Sequence, residues 1–349
     1  MRSLALALVL SLAACGGDDG GPVAVDDYAE GLRDATCKFL VACGEVADLE
    51  TCRAGHVPGD PHALSASERA ALDGKRAAFD GKQAAACLDA LAARSCDFTS
   101  QSFRVLPAAC LAVTTGTVHG GAPCAQDLEC ISQTCNAPAT CNEACCVGVC
   151  EGDAAPGFAA IGEACGGAGQ CDPATAYCDQ VALTCVALKP SGAVCESSVE
   201  CAYGFDCGPG ATCVALPELG DSCTGACRDA GTTCNAASHT CVKVGLVGDP
   251  CDSSTDCSPL YQCTTNKQCS DGVPLGQPCT RTSLCAGRGA FCDVADGADQ
   301  GTCVTPKAAG ATCTADADCD TDFCDPHTLT CQPQTVCLGN QPQPAARDL

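Results

Sequence analysis

Asp249 to Gly276 reads DPCDSSTDCSPLYQCTTNKQCSDGVPLG, with Cys251, Cys257, Cys263 and Cys269 each six residues apart. An upstream stretch repeats the spacing with Cys195, Cys201, Cys207 and Cys213. Looser groups of four follow the same order: Cys165, Cys171, Cys178, Cys185; Cys223, Cys227, Cys234, Cys241; Cys279, Cys285, Cys292, Cys303; and Cys313, Cys319, Cys324, Cys331. Self-similarity at such a period is the mark of a modular array. A glycine two or three residues before each first cysteine (Gly162, Gly192, Gly220, Gly248, Gly276, Gly310) predicts a tight turn joining one unit to the next. Four cysteines per unit fit two disulfides, and the three possible pairings are equivalent at this level.

Outward from these units the pattern loosens. Cys124 opens an atypical unit holding Cys130, Cys135 and Cys141, then Cys145, Cys146 and Cys150. The last unit carries a fifth cysteine, Cys337. Both terminal units are therefore odd, and pairing across the array, a free thiol in each, or different unit boundaries would all resolve them. Cys145 and Cys146 are expected to bond to different partners, because a vicinal disulfide is strained. Thirty-nine cysteines in 349 residues leave an even number once Cys15 is set aside.

This composition points to a covalent scaffold. With 8 Phe, 4 Tyr, 1 Met and no Trp, large core side chains are scarce, and small modules so built need another source of stability. A disulfide closing a loop of about 15 residues supplies roughly 3 kcal/mol in the chain-entropy model. Such bridges persist in an oxidising compartment.

Residues 1–14, MRSLALALVLSLAA, supply the route there: a short basic start at Arg2 and an apolar run from Leu4 to Ala14 broken only by Ser11. This is the form of a secretory signal, too short to span a bilayer. The stretch Leu12-Ala13-Ala14-Cys15 resembles the lipobox of bacterial lipoproteins. The resemblance implies that Cys15 is acylated and becomes the mature N-terminus, holding the chain to the lipid bilayer through several chains rather than reversibly through one. Gly16 in place of an aspartate leans towards the outer membrane or cell surface. Residues 15–24, glycine-rich and acidic, read as a flexible tether.

The chain has 18 basic and 42 acidic residues, a formal net charge of -24. That excludes nucleic acid and anionic lipid surfaces as natural partners and favours cations or basic proteins. A solvated face on an exported protein explains the acidity most simply.

Residues 25–115 differ in composition. They are alanine-rich with charges between and hold Cys37, Cys43, Cys52, Cys87, Cys96 and Cys110. Tyr28, Leu32, Ala35, Phe39 and Ala42 fall at helical steps between Asp26 and Cys43. His56 to Ala63 reads as a loop. Ser65 or Ser67 is placed to cap a helix running to about Phe79, with Glu68 three after Ser65. Gln83 to Arg94 predicts a third helix, and Phe103 to Leu111 a short last one interrupted at Pro107. The expected fold is thus a small all-helical, six-cysteine domain at 25–115. After a glycine-rich hinge (Gly116, Gly120, Gly121) come the atypical unit at 120–160, six four-cysteine repeats over 161–338 with little regular structure beyond short β-hairpins, and a disordered tail at 339–349.

The repeated pattern over residues 120–337 resembles the cysteine-rich N-terminal module of Dickkopf proteins, as found in tandem in lipoproteins of myxobacteria and their relatives. An acid precedes the second cysteine at Glu129, Glu200, Asp256 and Asp318, and an aromatic residue precedes the third at Tyr177, Phe291 and Phe323. Ala226 and Leu284 depart from the acid. The resemblance implies an extracellular protein-binding module and no enzymatic activity.

Sites for chemistry are sparse. The histidines are His56, His62, His119, His239 and His327, and none forms an HExxH pair. His56, Asp60 and His62 are near one another in sequence, but a surface loop with incidental histidines is the plainer reading. No GxSxG elbow, phosphate-binding loop or dinucleotide fingerprint occurs. The five-residue gaps are wider than zinc knuckles use, although Cys141–Cys145 and Cys223–Cys227 have three between them. Asp316, Asp318, Asp320, Asp322 and Asp325 supply carboxylates of the type calcium takes, without the mid-loop glycine and closing glutamate of a helix–loop–helix site. No catalytic residue, metal or cofactor is therefore expected.

The leading expectation is a non-enzymatic surface lipoprotein presenting an extended, rod-like array for protein, glycan or envelope binding, each unit contacting only its neighbours. An inhibitor or toxin-like module protein is the alternative, which a strongly exposed hydrophobic loop would favour. A hydrolase with its site in the helical domain is the third reading, which a histidine beside a carboxylate in a deep pocket would revive.

Overall fold

The computed structural model describes residues 21–339 apart from 56–65, 98–106, 139–145, 155–156, 166–169, 333–336 and the loop positions 259, 281, 288, 296–297, 316–317, 321–323 and 326–327. It comprises an N-terminal helical domain stapled by disulfides and a cysteine-dense region of short strands. Among the described residues no helix is long and apolar enough to cross a membrane.

The helical domain is built on α1 (Tyr28–Ala42) and α4 (Gly81–Ala92), with α2 (Leu49–Ala54), α3 (Ala66–Asp73) and α5 (Ala108–Leu111) around them. The Asp80 carboxylate accepts the N–H groups of Lys82 and Gln83 and so starts α4. Asp48 caps α2 in the same way through the Thr51 N–H. Helices α1 and α4 approach closely at Gly31, where a Cβ would lie 2.5 Å from the Leu88 side chain. Ala35, Ala84, Leu91 and Val113 fill the space between them with Tyr28 and Leu32. Disulfides Cys37–Cys52, Cys43–Cys96 and Cys87–Cys110 bind α1 to α2, the end of α1 to the chain after α4, and α4 to α5. The buried Arg33 guanidinium donates to the carbonyls of Arg53 and Gly55 at the C-terminal end of α2, where a cation is favoured.

Three details depart from the sequence reading. The helix expected to run to about Phe79, α3, stops at Asp73 because Lys75 turns left-handed at φ 57°, and Ala77–Phe79 instead forms a strand, β1, antiparallel to β2 (Thr114–Gly116). Ala42 is exposed, since α1 turns its last apolar face through Phe39 and Leu40. Gly116 and Gly120 mark a packed junction and no hinge: added Cβ atoms would meet the Cys130 carbonyl oxygen at 2.0 Å and the Gly152 backbone at 2.6 Å.

Each cysteine unit repeats one construction. The third and fourth cysteines face each other across a short antiparallel hairpin, as Cys178 faces Cys185 and Cys263 faces Cys269. They bond to the first and second cysteines respectively, for example Cys251–Cys263 with Cys257–Cys269 and Cys313–Cys324 with Cys319–Cys331. The glycine three before each first cysteine has positive φ and donates its N–H to the fourth cysteine's carbonyl, as Gly248 does to Cys269. The hairpin turn takes a left-handed residue two before the fourth cysteine: Leu183, Ala211, His239, Lys267 and Leu329. The same scheme places the atypical unit's pairs at Cys124–Cys135 and Cys130–Cys150. Its fourth position is therefore Cys150 and not Cys141, and the extra cysteines fall in an insertion. Cys146 and Cys337 are both disulfide-bonded.

The array is not an open rod. Its fourth and fifth units return to the helical domain, where Phe39, Leu40 and Val46 pack with Ala230, Leu260 and Tyr261. Asp97 bridges Asp229, and Arg228 reaches Asp97 at 3.0 Å. Residues 337–339 also return: Cys337 donates its N–H to the Ser67 hydroxyl at 3.1 Å, and Gly339 lies against Cys124 and the buried Glu129 carboxylate. Glu129 is held by Arg76 at 2.6 Å, so one ion pair ties the helical domain, the first unit and the C-terminal segment together.

Candidate functional site

The joints between units follow from the sequence column by column. The residue six before a first cysteine lies alongside the second cysteine in a parallel bridge: Val118 with Cys130, Ala159 with Cys171, Lys189 with Cys201, Gly245 with Cys257, Val273 with Cys285, Lys307 with Cys319. The acid before the second cysteine folds inward. Asp256 accepts the N–H groups of Asp252 and Ser253, and Asp318 those of Thr314 and Ala315. Burial pushes the Asp256 carboxyl up, but these N–H groups and the Ser253 hydroxyl outweigh it and hold it below the ordinary carboxylate range. The acid is thus a loop cap. Where Leu284 replaces it, the Ser283 hydroxyl accepts the Thr280 N–H.

The aromatic residue before the third cysteine is part of the joint as well. The Lys189 ammonium lies 5.7 Å from the Tyr177 ring centre and pairs with Glu200. That contact with Glu200 holds Lys189 above the usual lysine range and Glu200 below the usual carboxylate range. Lys307 likewise lies 5.4 Å from the Phe291 ring centre but pairs at 2.9 Å with Asp293 of the preceding unit, not with the acid of the following one. At the joint after the fifth unit, Gln262 plugs the gap instead, through both backbone groups of Leu284.

The joint between the third and fourth units lacks these fillers and opens into a groove. Between the third and fourth units the position before the third cysteine is Asp206, the position six before the next first cysteine is Pro217, and the acid is Ala226. Proline has no N–H, so only the Arg228 N–H to Pro217 carbonyl bond of the bridge remains. The Cys223–Cys227 gap is also two residues shorter than the usual one. The result is a groove of about 480 Å³ lined by Asp206, Val214, Leu216, Pro217, Thr224 and Ala226 among others. The Asp206 Oδ1 accepts from Ser198 and from the Cys207 N–H, while Oδ2 has no hydrogen-bond partner among the described residues.

The residues singled out from sequence are distributed as follows. Cys15, His56, Asp60, His62, Cys141, Cys145 and His327 lie outside the described residues. The framework cysteines from Cys37 to Cys110, and those of the Cys195 and Cys251 units, are all in disulfides. Cys223 and Cys227 bond to Cys234 and Cys241, so their spacing is no zinc knuckle. Triplets of sulfur atoms within 4.8 Å occur in several units because two disulfides stack there, which leaves no thiolate among them for a metal. Asp318 is spent on its loop and Asp325 on Thr328. His239 is a hairpin-turn residue whose N–H goes to the Asn235 carbonyl. His119 does lie beside a carboxylate, with Nδ1 3.3 Å from Asp153, but the pair is exposed on the surface and not in a pocket. The Gly120 N–H, then His119, lowers the Asp153 carboxyl.

One feature the sequence reading missed is the tip of the second unit's hairpin, Gln180–Leu183. The Asp179 carboxylate accepts the N–H groups of Val181 and Ala182, which fixes the turn and leaves Val181 94% and Leu183 53% exposed. The aliphatic run was visible, and only the hairpin register turns it outward. No protein-family model, curated protein or solved structure matches this chain.

Proposed function

We propose that this chain is a non-enzymatic lipoprotein of the bacterial cell surface, held in the bilayer through acylated Cys15, whose disulfide array is a rigid platform for a partner protein. The repeats' likeness to Dickkopf-type modules of myxobacterial lipoproteins is part of the same proposal. The observation that carries it is the pair of crossed disulfides in each unit: a framework of this density needs an oxidising compartment, and residues 1–15 read as the means of reaching one. The acidic excess and the unfilled joint support a basic protein as the bound species.

Mass spectrometry of the mature protein from its host is expected to show an acylated Cys15 as the first residue. An unacylated N-terminus elsewhere removes the anchoring part of the proposal. Cross-linking on intact cells is expected to capture a partner with the oxidised protein and to lose it after reduction and alkylation. Equal capture by both forms would count against a platform role.

A second reading, a protein that inhibits by inserting a fixed loop, is favoured by the Val181–Leu183 tip. Val181→Asp with Leu183→Asp would abolish binding under that reading and leave it intact under the first.

A further inference from the structure

We propose that the groove between the third and fourth units is a socket for a lysine or arginine side chain, presented by an extended segment of a basic partner protein. The inference rests on the binding role proposed above and names the chemistry of the bound group.

The molecule itself shows what such a joint accommodates. At two other joints the equivalent space is crossed by a lysine from the linker six residues before the first cysteine: Lys189 over Tyr177, and Lys307 over Phe291. In each case the ammonium ends on a carboxylate, Glu200 or Asp293. At the third joint the linker residue is Pro217, which cannot reach across; Ala226 stands where Glu200 does and Asp206 stands in the place of the ring, with Oδ2 unpaired among the described residues. The socket therefore offers a carboxylate in place of the ring and has no linker lysine to meet it.

The walls match the rest of the side chain. Val214, Leu216, Pro217 and Ala226 are apolar and suit an aliphatic stem, with the charged head reaching Asp206. Charge also selects for an external cation. Several of the cations among the described residues are committed elsewhere: Arg53 to Asp34, Arg76 to Glu129, Arg228 to Asp97 and Glu218, and Lys267 to Asp252. With a net charge of -24, positive partners are drawn towards the chain and negative ones repelled.

The test is an NMR titration of the full oxidised chain with acetyl-(Ala-Lys)₃-amide, and with the same peptide carrying norleucine or glutamate in place of lysine. The lysine peptide is expected to give saturable shifts in the amides of residues 206–226, weakening as salt rises. The norleucine peptide, and the lysine peptide on Asp206→Asn, are expected to bind at least ten-fold more weakly. Pro217→Lys supplies the missing side chain from within, as at the two filled joints, and is expected to abolish binding. The amide spectrum outside units three and four reports whether each variant is folded, and Asp206→Asn decides the matter if Pro217→Lys is not. Absence of saturable shifts with the lysine peptide, equal binding of the norleucine peptide, or unchanged binding to Asp206→Asn overturns the socket. A surface partner captured by cross-linking that the lysine peptide does not displace overturns the socket alone, and leaves the platform role standing.

Discussion

In the helical domain the residues that exclude water are Ala35, Ala84, Leu91 and Val113, gathered with Tyr28 and Leu32 around the Cys87–Cys110 bridge. In the last repeat the buried cluster consists of Cys313, Cys319, Cys324 and Cys331. One interior is apolar packing with a staple across it, and the other is the staples themselves. The difference follows from length. A disulfide unit of about thirty residues cannot enclose enough apolar volume to offset its chain entropy. Its bridges act on the unfolded chain instead, by closing loops of 11 and 12 residues in that last unit. Where the two regions meet, the interior is mixed: Phe39 and Leu40 of α1 rest on Leu260, Tyr261 and the Cys257–Cys269 bridge.

The largest effect that would break this comparison is reduction. Reduced and alkylated protein is expected to lose hydrogen-exchange protection throughout the repeats, while α1 and α4 keep part of theirs through their apolar contact. Equal protection of the repeat amides before and after reduction would show that side-chain packing alone sustains them.

Phe39→Ala sharpens the comparison at the shared interface. Removing a buried aromatic ring costs about 3–5 kcal/mol where the site does not collapse. Denaturant titration of the intact chain is expected to show that loss, together with faster exchange at Leu260 and Tyr261 but not in the Cys313 unit. Faster exchange in the last unit as well would mean that the array unfolds as one body with the domain.

Much of the array was legible because cysteine and glycine are covalent and conformational signals that need no packing partner. The turn glycines Gly162 to Gly310 fall where the spacing put them, each at positive φ. The pairing was not legible, since it depends on the hairpin that sets the third and fourth cysteines face to face. Nor was the return of the array to the helical domain, which rests on Phe39 meeting Tyr261 across more than two hundred residues of chain. The open joint was half-visible. Ala226 and the short Cys223–Cys227 gap stood out as departures, but their meaning required knowing that Lys189 and Lys307 occupy the matching space elsewhere. Strand β1 escaped because three residues of Ala77–Phe79 carry no periodicity, and the break before it comes from Lys75, a residue with no preference for a left-handed turn.

A smaller effect separates sulfur from polar caps within one unit. Asp256→Asn removes the charge that receives the Asp252 and Ser253 N–H groups and is expected to cost about 1 kcal/mol, the usual worth of a helix-type cap. Because the folded carboxyl lies below its ordinary range, its contribution is present above the unfolded aspartate pKa and is lost as pH falls through the folded one. Acid melting of the parent should therefore converge on that of Asp256→Asn. A constant gap between the two down to low pH would mean that the substitution acts through shape rather than charge.

The smallest effect is expected at a filled joint, and it compares that joint with the open one. Lys189 lies above its ordinary range, so its contribution is full below the unfolded lysine pKa and is lost as pH rises through the folded value. Glu200 lies below its range and fails at the other end, as pH falls through its own folded value. The joint between the second and third units is thus tightest between those limits. Lys189→Met keeps the stem over Tyr177 and removes the charge, so amide exchange at Ala202, whose N–H bonds to the Lys189 carbonyl, should speed up within that window and match the parent outside it. At the open joint the corresponding Arg228 amide, bonded to the Pro217 carbonyl, should show no such loss at the alkaline limit, because the cation there is Arg228 itself, paired with Glu218 and Asp97, and a guanidinium keeps its proton. If Arg228 shows the same pH window, the two joints are held alike, and the vacancy between the third and fourth units is not a difference in chemistry.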